Sequence, residues 1–273
     1  MDVTKLVEQG LFQLFEGVRV DDGTDLSKPL LVLNPKSPVV EVTTTERVSL
    51  ALLCTDSVSS KVTLRLAPQA KCSVALLCLG RGVLALDVEQ GAESESRITT
   101  ALLSDATLSY NVRLLGERAA SEFDGLYIAT GNDHCSVSLN VRHEVAECKS
   151  RSMIKGVAAG TATGEFRGLV YVAKDAQRTD AEQQNRNIEL DRSHIVALPQ
   201  LEIYADDVRC SHGSTVGRAD EEAVFYMRQR GLSEADARRL LLEGFVQEVA
   251  QAGDVAHICR MMAEEIDKRL LTI

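Results

Sequence analysis

The chain has 273 residues, 45% apolar and 26% charged, which is ordinary globular composition and excludes a wholly disordered or fibrous protein. Its formal net charge of −10 argues against a broad nucleic-acid surface, which needs clustered Lys and Arg. Aromatic residues make up only 4% and Trp is absent, so a base-stacking platform or an aromatic sugar cleft would be hard to build.

The opening residues, Met1-Asp2-Val3-Thr4-Lys5, lack a basic segment followed by an apolar one, so no secretory signal is expected. The longest apolar runs, such as residues 74–79, are too short to cross a bilayer. Residues 3–15 carry the one helical pattern of more than two turns before residue 217. The rest of that stretch reads as short strands, with period-2 alternation clearest in Val62, Leu64 and Leu66 and in Val137, Leu139 and Val141. Further strands are expected at 48–53, 74–79, 83–88, 108–114, 126–128, 153–157, 166–172, 188–190 and 201–204, separated by Gly, Asp, Asn and Ser. Strands without helical crossovers suggest a sandwich, a barrel or a β-solenoid. The wealth of Val, Leu, Ala and Ser and the scarcity of aromatics suit a narrow solenoid interior.

After residue 217 the pattern changes. A helix is expected over 219–230, stopped by Gly231. Ser233 then caps a second helix, with Asp236 completing a capping box and Ala237, Leu240, Leu241, Phe245 and Val249 as its apolar stripe. A third helix starts near Asp254 and aligns Val255, Ile258, Met262, Ile266 and Leu270. The expected division is therefore a β core over 1–217 and a helical unit over 218–273.

Seven cysteines (Cys54, Cys72, Cys78, Cys135, Cys148, Cys210 and Cys259) are odd in number and irregularly spaced, with no CxxC pair. They read as free thiols of a reducing, cytoplasmic compartment, without a zinc site of the usual spacing. Gly80, Gly82 and Ala85 match a loose dinucleotide fingerprint, but a strand pattern follows where a helix is required, so a turn is expected. Gly156, Gly160, Gly164 and Gly168 recur every fourth residue, interrupted by charges, and read as turn and bulge glycines. His134 with Cys135, His143 with Cys148, and His257 with Cys259 are thiol–imidazole combinations whose bland reading is surface His and core Cys. Glu202, Asp206 and Asp207 offer paired carboxylates, and with them the alternative of a β-solenoid carbohydrate-active enzyme.

Four segments go further: Gln177-Arg178-Thr179-Asp180, Asn185-Arg186-Asn187, Pro199-Gln200-Leu201-Glu202-Ile203, and the run from Leu201 to Arg239, which includes Tyr204-Ala205-Asp206-Asp207, Cys210-Ser211-His212-Gly213 and Phe225-Tyr226. Together they closely resemble the C-terminal core of the SufB/SufD family of iron–sulfur cluster assembly proteins, most closely its SufD branch. The resemblance implies a right-handed parallel β-helix followed by C-terminal helices, and a non-catalytic scaffold subunit. It implies pairing with a SufB-like paralogue or with a second copy, and docking of the SufC-like ABC ATPase that hydrolyses ATP. No nucleic acid or membrane partner is implied. Carried onto this chain, His212 is the residue at the cluster-assembly and dimer interface and the one metal ligand, with Cys210 beside it. The cargo is a transient iron–sulfur cluster, or iron shared with the partner subunit, with none permanently bound. Phe225, Tyr226, Arg228, Arg230 and Phe245 are the expected ATPase-docking residues. Members of the family usually carry a helical region ahead of the β-helix, whereas strand patterns begin early here.

Overall fold

The computed structural model describes residues 7–273. Successive strands alternate between two sheets. One, here the odd sheet, holds β1 (Gln13–Leu14), β3 (Leu30–Leu33), β5 (Arg47–Cys54), β7 (Lys71–Cys78), β9 (Glu95–Leu102), β11 (Ala120–Ala129), β13 (Lys149–Ala158), β15 (Asp180–Glu189) and β17 (Arg209–Gly217) in that order. The even sheet holds β2 (Arg19–Val20), β4 (Val39–Val42), β6 (Val58–Leu66), β8 (Gly82–Gln90), β10 (Ala106–Leu114), β12 (His134–His143), β14 (Thr163–Val172) and β16 (His194–Ile203). Every pairing is parallel and joins a strand to the one two places on, which makes the chain a flattened parallel β-helix with two strands per coil. Arg47 pairs with Lys71 and Lys71 with Glu95, whereas Lys149 pairs with Asp180, so the later coils are longer.

The period-2 pattern explains the lumen. Leu64, Val88, Val112, Val141 and Val170 are buried and stand in register across five strands of the even sheet. Each such side chain removed from water contributes about 1.5–3 kcal/mol. Tyr110 and Phe123 fill the lumen near its middle, stacked at 4.5 Å.

The corners hold left-handed residues that are not glycine: Gln69 (φ 64°), Glu93 (57°), Arg118 (60°), Glu147 (62°) and Arg178 (59°) stack along one edge. Their backbone donates to the coil ahead, as Glu93 N–H does to Glu117 O at 2.9 Å. Their charges alternate, so Arg118 pairs with Glu93 at 2.6 Å and with Glu147 at 3.5 Å, and Arg178 pairs with Glu147. At the opposite edge Gly80 is required by close approach: a Cβ there would lie 2.0 Å from Asp56 O. The strand β8 follows it directly, so the Gly80–Gly82 pattern is a turn and opens no helix.

The helices are α1 (Glu221–Gln229), α2 (Glu234–Ala252) and α3 (Ala256–Leu270). Asp220 caps α1 by accepting from the Glu222 and Ala223 amides, and Gly231 takes φ +97° after it. Ser233 caps α2 by accepting from Asp236 N–H, as the capping box requires. Helices α2 and α3 fold back onto the outer face of the odd sheet. There Ala75, Leu77, Ala101, Leu103, Leu126 and Ile128 bury against Leu242, Val246, Val249, Ile258, Met262 and Ile266. The odd sheet is thus apolar on both faces.

Two expectations are corrected. Gln13–Leu14 is a strand paired with Leu30 and Leu31, so the helix expected over 3–15 does not extend there; residues 1–6 lie outside the described residues. Phe12 joins the core under the helices and Phe15 packs on the lumen, the opposite-face alternation of extended chain. On α2 the buried face is Ala237, Leu242, Val246, Val249 and Ala250, while Leu240 is exposed. The wide flat sheet surface, rather than a neighbouring helix alone, selects that face.

Candidate functional site

The coil ends on two strands that have a partner on one side only among the described residues: β17 beside β15, and β16 beside β14. Cys210, His212, Ser214 and Val216 alternate along β17 and stand in register with Ala181, Gln183, Asn185 and Asn187 of β15. The latter four are all buried in the lumen. Side chains in register on parallel strands share a face, so Cys210 and His212 both point to the lumen side of the open end. Two contacts bear this out: Cys210 packs on the lumen core, and Ser214 Oγ donates to Asn185 Oδ1 at 3.3 Å. His212 is exposed and Cys210 half-buried. Burial pushes the Cys210 thiol up from its ordinary value, so at neutral pH it is a thiol until a cation or metal approaches.

The lumen behind this pair is polar. Asn187 Nδ2 donates to Asn185 Oδ1 at 2.6 Å and to Thr215 O at 3.1 Å, and Tyr127 Oη donates to Asn187 Oδ1 at 2.9 Å. Gly156 lies in register between Tyr127 and Asn187, and a Cβ there would sit 2.3 Å from Tyr127 Oη. The glycine lets the phenol reach across a whole coil. None of β15's lumen residues other than Ala181 is apolar, which is why its central part escaped the alternation pattern.

Edge exposure surrounds the pair with apolar surface: Val196, Leu198, Ile203, Tyr204 and Val216 are all exposed on or beside the last coil. Glu202 lies on the outward face of β16, and Asp206 and Asp207 lie in the turn that follows, all three exposed. The Asp207 amide donates to Gln177 Oε1 at 2.9 Å, a turn contact.

The helical residues divide. Phe225 and Tyr226 are 61% and 58% exposed on α1, which buries only Val224. The Arg230 guanidinium lies 5.1 Å from the Tyr226 ring centre, and Arg228 pairs with Glu234 at 3.1 Å. Phe245 does not join them. It is half-buried on α2, with Lys155 Nζ 4.8 Å from its ring centre. Lys155 is a buried cation that no local pattern announces: it projects from β13 under α2, donates to Phe245 O at 2.7 Å and pairs with Glu248. That pairing holds the Glu248 carboxyl below its ordinary range.

The remaining thiol–imidazole combinations stay apart. His134 is exposed and contacts Thr163 Oγ1 at 2.7 Å, while Cys135 is buried and donates to Ser104 O at 2.9 Å. Burial pushes the Cys135 thiol up to about 12. His143 is buried with Nε2 2.9 Å from Ser150 Oγ, and burial lowers it to about 4, so it is neutral at pH 7. Cys148 instead donates to Gly116 O at 3.3 Å. His257 meets the ring of Phe12 edge-on at 6.0 Å, and Cys259 is buried. Among the described residues no group of three or more His, Cys, Asp and Glu is arranged to hold a metal ion. Nor is any described helix long and apolar enough to cross a membrane.

The fold and the end residues together define a two-sheet parallel β-helix with an open terminal coil and a folded-back helical layer. A family model described as SUF system FeS cluster assembly, SufBD core domain, matches residues 62–245, and the chain belongs to that family. It is 36% identical over 154 residues to the iron–sulfur cluster assembly protein SufD of Escherichia coli, covering 55% of this chain and 36% of that protein. It is 34% identical over 169 residues to a SufBD family protein of Synechocystis, covering 59% of this chain and 36% of that one. A SufBD family protein of Mycobacterium leprae is 34% identical over 172 residues, covering 60% of this chain and 44% of its own length. The aligned part is thus less than half the length of each of these curated relatives.

Proposed function

We propose that this chain is a non-catalytic, cytoplasmic scaffold subunit on which an iron–sulfur cluster, or the iron for one, is held transiently as cargo. The observation that carries the reading is the juxtaposition of Cys210 and His212 on the lumen side of a terminal strand. A neutral imidazole and a thiolate are good ligands for iron, but two donors do not complete a site. The remaining donors come from a partner, a SufB-like paralogue or a second copy, added at the open edge. A row of free backbone N–H and C=O groups bordered by Val196, Leu198 and Val216 is the kind of edge to which another strand adds. Exposed Phe225 and Tyr226, flanked by Arg228 and Arg230, form a separate face for a SufC-like ABC ATPase. In this reading Phe245 serves that face indirectly, by fixing α2 to the sheet through Lys155.

The test is reconstitution with the ATPase and the SufB-like protein of the same cell. Phe225→Ala with Tyr226→Ala should abolish the complex with the ATPase, measured as mass by light scattering. Deleting 219–273 is a poorer probe, because it bares the apolar outer face of the odd sheet. His212→Ala should leave the complexes intact and abolish cluster formation; unchanged cluster yield would sink the reading.

A further inference from the structure

Every Asn and Gln amide in the lumen of the last coils is paired, except one. Gln183 is fully buried, yet neither its Nε2 nor its Oε1 has a hydrogen-bond partner among the described residues. A buried amide left unpaired is costly and rare, so its presence calls for a reason. The fold makes room for it: Gly168 stands opposite on β14, and a Cβ there would lie 2.5 Å from both Gln183 Nε2 and Oε1. The Gln183 side chain therefore crosses the lumen from the odd sheet to the even one. Its neighbour in register on the next strand is His212.

Adjacent strands are about 4.8 Å apart, and the two side chains share a face. The two are not bonded in this structure, where His212 is exposed; a contact requires the His212 imidazole to turn inward along the shared face. The Ser214–Asn185 contact, two residues along the same strands, shows a side chain of β17 making just such a reach. A ligating histidine commonly holds its second ring nitrogen in a hydrogen bond, which fixes both tautomer and ring orientation.

We infer that Gln183 is a positioning residue for His212: its amide oxygen accepts from one ring N–H, leaving the other nitrogen deprotonated and turned outward for the iron-containing cargo. The inference rests on the reading of His212 as a cargo ligand. It accounts for the unpaired amide, for the glycine opposite it and for their place directly behind the terminal strand. A packing role accounts for none of these, since an apolar side chain would fill the space without the cost.

The experiment compares the full chain with Gln183→Met, Gln183→Glu and His212→Ala, the last also assigning the His212 resonances. Nitrogen-15 imidazole spectra read the tautomer of His212. In the native chain the tautomer ratio should differ from that of a short histidine peptide in water by about threefold or more, as expected when one nitrogen is held in a hydrogen bond. Gln183→Met should return it to the ratio of a short histidine peptide in water, while Gln183→Glu, which keeps an acceptor, should preserve it. The unfolding midpoint of Gln183→Met should be unchanged or higher, so a lost tautomer preference cannot be ascribed to misfolding. In the reconstituted complex Gln183→Met should lower the rate of cluster formation. If His212→Ala abolishes cluster formation but Gln183→Met changes neither tautomer nor rate, the inference fails and the reading of His212 stands. If His212→Ala has no effect, the reading fails and the inference with it.

Discussion

The middle coils and the last coils are built from the same backbone and differ in what they enclose. Between β5 and β10 the lumen is filled mainly by Leu, Val, Ile and Cys, with Tyr110 and one paired polar cluster at Gln90 and Ser96, and the odd sheet is sealed outside by α2 and α3. At β15 and β17 the lumen holds Gln183, Asn185, Asn187, Cys210 and His212, and the end is open. The difference teaches where stability and chemistry are kept. Apolar stacking holds the coil together in the middle, and a polar lumen at the end leaves donors and free backbone groups for another molecule. Lys155, Glu248 and Asp124 mark the border, where the helical cover gives way to charged sheet surface.

The contrast breaks most sharply at a sealed position. Leu64→Ala, in the middle of the lumen stack, should cost about 2–5 kcal/mol in denaturant unfolding. Val216→Ala, at the open end, should fall within about 0.5 kcal/mol of native. The border gives the next largest effect. Glu248→Gln leaves the Lys155 cation buried with only Phe245 O and the Phe245 ring, and, because the Glu248 side chain is 62% exposed, should cost about 2 kcal/mol rather than the full penalty of a buried pair. Lys155→Met leaves only an exposed carboxylate and should be close to neutral, so the two halves of one ion pair should differ in a thermal melt. Because Glu248 titrates below its ordinary 4.5, its contribution is present above that pH and is lost as the solution is acidified through the folded-state value.

Asp124 runs the other way. Burial, reinforced by nearby Glu122, raises its carboxyl to about 6 from an ordinary 3.8. Ionising it therefore weighs against the fold, a cost absent below the ordinary value, growing through pH 4 to 6 and complete above it. Asp124→Asn should stabilise by about 1–3 kcal/mol at pH 7 and by nothing below about pH 4. The smallest effect belongs to the exposed corner: Arg118→Gln removes three ion pairs, to Glu93, Glu117 and Glu147, yet should cost no more than about 1 kcal/mol, and less in high salt.

Much of the fold was legible because a coil lumen imposes the simplest of patterns. Val62, Leu64 and Leu66 announced β6, and Gly231, Ser233 and Asp236 announced the helix boundaries, since these depend on neighbours in sequence. Strand β15 was legible only at its end, because Gln183, Asn185 and Asn187 occupy inward positions and imitate a loop. Residues 3–15 misled for the reverse reason: Phe12 and Phe15 both look like helix-face residues, but they enter two different cores on opposite sides of one extended segment. Of the candidate site, Cys210 and His212 followed from the family resemblance, and their shared face from alternation. Gln183 and Lys155 did not, because nothing local records which side chain stands one coil away or beneath a helix that folds back later.

That return has a consequence in time. Leu77 and Leu103 are covered by residues as late as Ile266 and Leu270. During synthesis at 5–20 residues per second, the interval from residue 103 to residue 270 lasts on the order of 10–30 s. Over that interval the part of the sheet's apolar face already made has none of its helical cover. Helix α3 is therefore also the step that ends this face's exposure to aggregation, and a stall of synthesis between residues 220 and 270 would leave a coil that is complete in its lumen and unprotected on its outside.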